Sequence, residues 1–544
     1  MQHVIQRQII EINTADIESA NVMQQRMERL FKSELMPVMD EVLSSFSEPG
    51  SLIRLEKLEL DLGTFSMNVP DTQFTENLRI QLIRELKKEL SRSSDTGQYN
   101  SSKANIQSQE ESDIELALYF LQRGVLPWWV ADAKAFQPQT LLDKLLKKEP
   151  GVFIRSLENL NSIQAIERLV MQLTTFNYNF LLSLLFSKTE KKSVMAIKDW
   201  HTLIETDNFS LQKIIQIKAR LIYFLLQNFP GERLAERPAE LLSEYIYQTA
   251  LMRSGSDTAK NTVTSLAGKA QGSLSKESEV YHWLEQKILT LFPKKEVSRP
   301  AVINNSVINI TDDKSADSKA VKKHLFDEKY EQKHAKKSNT SFEERAPENE
   351  ASFDKDTLRQ LLQKDAAYND CLNTDQHTGE YYYIDNAGIV LLWPFLSRYF
   401  HTLNLLKDNK FVNEQSQEKA VVLLQYLVSG NVEPQEHVLL LSKLLCGWPL
   451  HRPLLRCIDL TQQDKQESEQ LMLSVINHWK ALKNTSMDGL RQSFLQREGR
   501  LIEKDYGWDL LIKRTGFDVL LDQLPWGIST IHLSWMKKTV FVEW

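Results

Sequence analysis

The chain has 544 residues, of which 42% are hydrophobic and 25% charged, with a net charge of -6 and a sequence pI near 6.1. That length exceeds a single hydrophobic core, so two or more folded units are expected. The acidic balance argues against a nucleic-acid binder, which needs a basic face to neutralise phosphates. Basic pairs such as Lys191-Lys192 and Lys336-Lys337 have acids close by and read as solvated surface. Cys371, Cys446 and Cys457 are too few for a disulfide framework and point to thiols buried in a reducing compartment. The start lacks a charged leader followed by an apolar run, and no window reaches the roughly 18 apolar residues of a membrane span. A chain made and folded in the cytoplasm is expected.

Residues 1–90 alternate strand and helix signals. Val4, Ile5, Ile9, Ile10 and Ile12 suggest a strand over 3–12. A helix follows, capped at Asn13 or Thr14, with Ile17, Ala20, Met27, Leu30, Phe31, Val38 and Val42 on one stripe and Pro37 as a kink point. Leu58, Leu60 and Leu62 alternate with Glu59 and Asp61, the pattern of a half-buried strand. Phe74, Leu78, Leu82, Leu86 and Leu90 then recur every four residues on a helix capped near Asp71. The unit reads as β-α-β-α. Two strands alone are marginal, so completion of the sheet by another subunit is an alternative.

Residues 91–112 are rich in Ser, Asn and Gln and read as a linker. A helical middle unit is expected over 113–252. Its first helix ends near Gly124 ahead of Pro127, and later ones run near 138–148, 163–187, 211–228 and 238–252. Residues 253–277 look like a second linker, 278–292 an isolated helix, and 293–354 a charged segment too poor in apolar residues to fold. The block 355–544 holds seven of the eleven tryptophans. Helices are expected there at 387–405, 414–429, 434–446, 463–482 and 486–498, with strand-like pieces at 508–513, 528–535 and 539–543. The fold class is therefore mainly α with small α+β elements at both ends, a multi-domain helical protein with disordered linkers.

Catalytic signatures are missing. Gly268-Lys269 lacks the rest of a phosphate loop, and no dinucleotide-binding, zinc-protease or nucleophile-elbow pattern occurs. Cys446, His451 and Cys457 form the best metal-like grouping, but a fourth ligand is not evident; a packed cysteine and a Pro-rich turn with Pro449 and Pro453 explain it more simply. Glu59 and Asp61 could be paired carboxylates, yet alternation puts them on a solvent face opposite three leucines. Trp128-Trp129 is a binding surface or, more simply, core. No catalytic, metal or cofactor-binding residue is assigned, no cofactor is expected, and partner surfaces stay unassigned.

The densest block carries Tyr383-Ile384-Asp385-Asn386-Ala387-Gly388-Ile389-Val390-Leu391-Leu392-Trp393-Pro394-Phe395-Leu396. It resembles the V-x-N-A-G-L-V-L-L-x-P-F-L signature of contractile injection system tape-measure proteins. Further similar stretches follow in order: Ala420 to Leu427, Leu441 to Gly447, His478 to Ser486, Gly489 to Gly499, Asp518 to Gly527 and Ser534 to Met536. Near the start, Arg54-Leu55-Glu56-Lys57-Leu58-Glu59-Leu60-Asp61-Leu62-Gly63 is similar to the family's R-L-E-x-L-E-I-D-L-G, and Leu126-Pro127-Trp128-Trp129 to a short middle motif.

The resemblance implies a non-enzymatic component that sets inner-tube and sheath length in bacterial phage-tail-like particles, such as antifeeding prophages and related virulence cassettes. Tube, baseplate, spike and terminator-cap proteins would be its partners. It would sit in the bacterial cytoplasm during assembly and then in the released particle. An assembly chaperone or scaffold, absent from the finished particle, is the alternative; a wall-cutting enzyme has little support. A fully helical ruler of this length would span roughly 800 Å. The residues instead suggest compact units on tethers, without sustained heptads.

Overall fold

The computed structural model describes residues 3–14, 16–47, 50–66, 69–94, 104–130, 132–187, 189–227, 238–252, 256–292, 357–363, 381–454, 458–482 and 484–544. The expected charged linker at 293–354, Lys336-Lys337, Cys371, Cys457 and the middle of the expected 91–112 linker lie outside them.

Helix α1 (Ile17–Leu30) starts where Asp16 accepts from the Ser19 amide, two to three residues later than Asn13 or Thr14 would have placed it. A π turn at Phe31–Leu35 joins it to α2 (Met36–Phe46), so Pro37 sits harmlessly in the first turn of a new helix. β1 (Ser51–Leu55) precedes α3 (Asp71–Ser94), whose four-residue stripe closes two small cores. Phe74 and Leu78 pack on Met23, Met27 and Leu30, while Leu82 and Leu86 pack on Val38 and Val42. Each fully buried leucine contributes about 2 kcal/mol to that packing.

Two expectations fail here. Residues 3–12 are not a strand: no neighbouring strand pairs with them, and their isoleucines stay exposed. Leu58 to Leu62, whose alternation suggests a half-buried strand, is not one: the strand of this region is β1, which ends at Leu55 before the alternation begins. Its partner is β2 (Ala104–Ser108), drawn from the expected linker of the same chain, with Ile53 opposite Ile106. Ser108 then caps α4 (Gln109–Arg123) in a capping box with Glu111, and Gly124 closes it at φ 72°.

The helical core continues through α5 (Pro138–Lys148), α6 (Pro150–Glu158), α7 (Ile163–Gln172), α8 (Thr175–Phe186), α9 (Lys191–Thr206), α10 (Leu211–Gln227) and α11 (Pro238–Ile246). The expected helix over 163–187 is two, because the Thr174 hydroxyl caps a new helix on the Asn177 amide. From Ala219 to Leu226 every side chain of α10 is buried, the signature of a helix central to its core.

The expected linker at 253–277 is instead largely α12 (Ser256–Ser273). Its Ala259, Val263, Leu266 and Ala270 form a narrow apolar stripe that small and hydroxylated neighbours disguise in composition. Helix α13 (Glu279–Leu291) is not isolated either: Val280, Trp283 and Leu284 join the same core, as do Leu358 and Leu361 of α14, residues 357–363.

The tryptophan-rich block opens with β3 (Tyr381–Ile384), a 3-10 helix at Ala387–Leu392 and α15 (Trp393–Thr402). A two-residue hairpin, β4 (Leu406–Lys407) and β5 (Lys410–Phe411), leads to α16 (Glu414–Ser429), bounded by the Asn413 cap and Gly430. Then come α17 (Leu440–Leu445), α18 (Gln462–His478) and α19 (Met487–Leu490), the last running into a π turn at Arg491–Leu495. β6 (Gly499–Lys504), β7 (Gly507–Ile512), β8 (Thr530–Ile531) and β9 (Val540–Glu543) complete a five-stranded sheet in the order β3-β6-β7-β9-β8. The molecule is mainly α with small α+β elements, as its patterning led us to expect.

Candidate functional site: a buried ionic junction

Two charged helices meet where the helical core abuts the tryptophan-rich block. Arg168 on α7 is completely buried, and one guanidinium nitrogen reaches the Leu121 carbonyl of α4. The other terminal nitrogen donates to Glu436 Oε1 at 3.1 Å and to the His451 carbonyl at 2.7 Å. Lys443 on α17 donates to the same Glu436 oxygen at 2.8 Å and to the carbonyls of Leu450 and Arg452 at 3.2 and 2.9 Å. Burial alone would raise the Glu436 carboxyl, but the Arg168 and Lys443 cations overcome it and hold the group below its usual range. Burial lowers the Lys443 ammonium, and Glu436 offsets only part of that.

Gly124 makes room for the junction. A Cβ there would lie 2.9 Å from both Arg168 Nη2 and Glu436 Oε1, and the φ of 72° disfavours any side chain. On the flank, Arg220 of α10 bonds Glu167 at 2.7 Å and Thr249 at 2.9 Å, so α7 carries one ion pair on each side. His437 contributes through shape more than charge. Burial lowers its pKa, its Nε2 lies 3.1 Å from the Ala133 carbonyl, and its ring meets Phe136 edge-on.

Glu418, one turn after Glu414 on α16, is 4% exposed. Arg452 is taken up by a two-pronged bond to Glu414 at 2.8 and 2.7 Å. Burial therefore dominates at Glu418 and pushes its carboxyl up to about 7. A cleft of about 320 Å³ beside the junction is lined by Met171, Gln172, Val422, Pro434 and Leu439 among others.

A second junction uses two motifs singled out in the sequence. Arg54 of β1 bonds Glu115 of α4 at 2.6 Å and lies 3.9 Å over the Trp129 ring. Trp129 meets Tyr119 and Trp128 edge-on. The tryptophan pair is thus half-buried packing with a cation on it. Glu59 and Asp61 are exposed as alternation suggested: Glu59 pairs with Lys57, and Asp61 accepts from the Gly63 amide.

The Asn-Ala-Gly stretch of the tryptophan-rich block is a close backbone crossing. Asn386 donates to Gln425 at 2.8 Å and to the Val438 carbonyl at 2.9 Å. A Cβ on Gly388 would fall 1.6 Å from the Phe494 carbonyl oxygen, so only glycine lets the 3-10 helix lie against the π turn. Indole nitrogens staple the block through carbonyls: Trp393 to Gly527, Trp526 to Leu391, Trp479 to Leu520 and Trp535 to Leu445.

Cys446 is enclosed in this core as a free thiol, and burial raises its pKa well above the usual value. His451 presents its carbonyl to Arg168. Among the described residues no group of three or more His, Cys, Asp or Glu could hold a metal, and no helix is long and apolar enough to cross a membrane.

Sequence reading missed Arg168, Glu436 and Lys443. Lys443 gave a signal, a lysine inside the run Leu439 to Leu445; Arg168 and Glu436 are 268 residues apart and gave none. The family model described as contractile injection system tape measure protein matches residues 2–544. No curated protein and no solved structure matches the chain.

Proposed function

The chain belongs to the contractile injection system tape measure family, and from that premise we propose that it is a structural assembly component whose length-setting part lies between its folded blocks. The match over essentially the whole chain carries this reading. Its motif residues support it, because Arg54, Trp129, Asn386 and Gly388 all serve packing and backbone approach. Tube, baseplate, spike and terminator-cap proteins are the partners this role calls for, with assembly in the bacterial cytoplasm.

Four buried cores cannot act as a stretched ruler without unfolding. We assign the length-setting part to 293–356, between α13 and α14, where the sequence is charged and poor in apolar residues. Residues 256–273 are excluded from it, since α12 belongs to the helical core. Removing 20 residues within 300–345 should shorten particles by about 30 Å if that part is helical and by about 70 Å if it is extended. Electron micrographs showing unchanged lengths at normal particle yield would count against the ruler. The same compactness favours a second reading, a scaffold that leaves before completion, and mass spectrometry of purified particles separates the two.

A further inference from the structure

The five-stranded sheet has an inner face built into the core by Tyr382, Leu501, Trp508, Leu510 and Val540. Its outer face follows from the strand register. One row runs Tyr381, Ile502, Asp509, Phe541 and Thr530, and the next runs Tyr383, Arg500, Leu511 and Glu543. That face is apolar for a solvent-facing one: Tyr383, Leu511 and Phe541 are 47%, 39% and 37% exposed. Tyr506, more exposed still, leans edge-on against Phe541. Such a surface on an antiparallel-rich sheet is ordinarily polar, and an apolar one marks an interaction site.

The segment from Val4 to Ile12 shows the same mismatch. Its Ile5, Ile9 and Ile10 are 50%, 70% and 43% exposed, although the sequence has the β-branched character of a buried strand. The two misfits touch. The Tyr383 hydroxyl donates to the Gln6 carbonyl at 3.3 Å, across 377 residues of chain. Three residues earlier, His3 Nδ1 lies 2.7 Å from Asp40 on α2. The segment is therefore tethered at one end to the leading unit and in its middle to the edge of the sheet.

We propose that Val4–Ile12 is a docking arm for the outer face of this sheet in its own chain, laying Ile9, with Arg7 and Glu11 on the same side of the extended segment, along the row from Tyr383 to Leu511. The six residues after Gln6 reach about 20 Å when extended, and adjacent strands are about 4.8 Å apart, so the arm can cross from β3 to β7. Charges match as well: the arm carries Arg7 and Glu11, and the face offers Asp509, Glu543 and Arg500. Docking would cover both mismatched surfaces and close the beginning of the chain onto its last sheet.

The test places a photo-crosslinking phenylalanine analogue at Ile9 of the full chain, in a mixture of isotope-labelled and unlabelled protein. Crosslinks to residues 499–512 or 540–543 within one isotopic population are the expected result. Crosslinks joining the two populations would overturn docking within one chain and assign the face to a second copy. Crosslinks elsewhere, or none, would overturn the assignment altogether. A second readout uses Ile9→Asp/Ile10→Asp, both exposed positions whose substitution leaves the cores intact. Hydroxyl-radical labelling of Tyr383 and Phe541 should rise severalfold, while circular dichroism and the melting temperature hold. Unchanged labelling would sink the proposal.

Discussion

Arg168 and Arg54 each tie the helical core to another part of the chain, but their surroundings differ. The Arg168 side chain and its partner Glu436 are 0% and 6% exposed, whereas those of Arg54 and Glu115 are 19% and 38% exposed. A fully buried junction must have every charge matched, because nothing else can solvate one left alone. A half-exposed one can exchange its partner for water at little cost. The helical core and the tryptophan-rich block should therefore behave as one cooperative body, with the leading unit as the looser attachment.

The harshest way to break that comparison is Glu436→Gln, which leaves Arg168 and Lys443 together without a counter-charge. A loss of about 3–5 kcal/mol is expected in urea unfolding followed by tryptophan fluorescence. The single transition should also split in two as the blocks uncouple. A loss no larger than that of a surface ion pair would show that the junction is not the coupling element.

Glu418, close to the same junction, sharpens the comparison through pH. Its folded pKa of about 7 lies above the ordinary 4.5, so the folded chain holds this proton more tightly than the unfolded one. The stability it contributes is fully present below pH 4.5 and is lost as pH rises through 7. Glu418→Gln mimics the protonated group and should flatten that slope. At pH 8 it should leave the variant more stable than the wild type by up to about 3 kcal/mol, with little difference near pH 4.5. Parallel pH curves would refute the assignment.

The smallest effect belongs to the other junction. Arg54→Ala removes an ion pair and the cation over Trp129, for about 1 kcal/mol. It should appear as faster amide exchange in β1 and β2 with the main unfolding transition unmoved. A shift of that transition would make the two junctions equivalent.

What the sequence disclosed follows from range. α16 was legible to the residue because Asn413 and Gly430 mark both ends locally. α4 was legible at Gly124 for the same reason. α12 was hidden because its buried stripe is made of alanines as much as of large residues. The strand expected at 3–12 had the right residue types and no partner, which only three-dimensional packing could reveal. Motif residues were recognised without their purpose: nothing local says that Gly388 faces the Phe494 carbonyl or that Arg54 lies on Trp129.

Helix α14 returns to the core that α13 leaves, with Leu358 and Leu361 buried in the same cluster as Leu284. Residues 293–356 thus span two points fixed by one body. Their sequence is charged and poor in apolar residues, and for a connection of that composition the entropy of ring closure grows only with the logarithm of its length, so that doubling the number of residues costs about 0.6 kcal/mol. Insertions there would be nearly silent to folding. The chain can therefore carry heritable variation in contour length while every folded block stays the same.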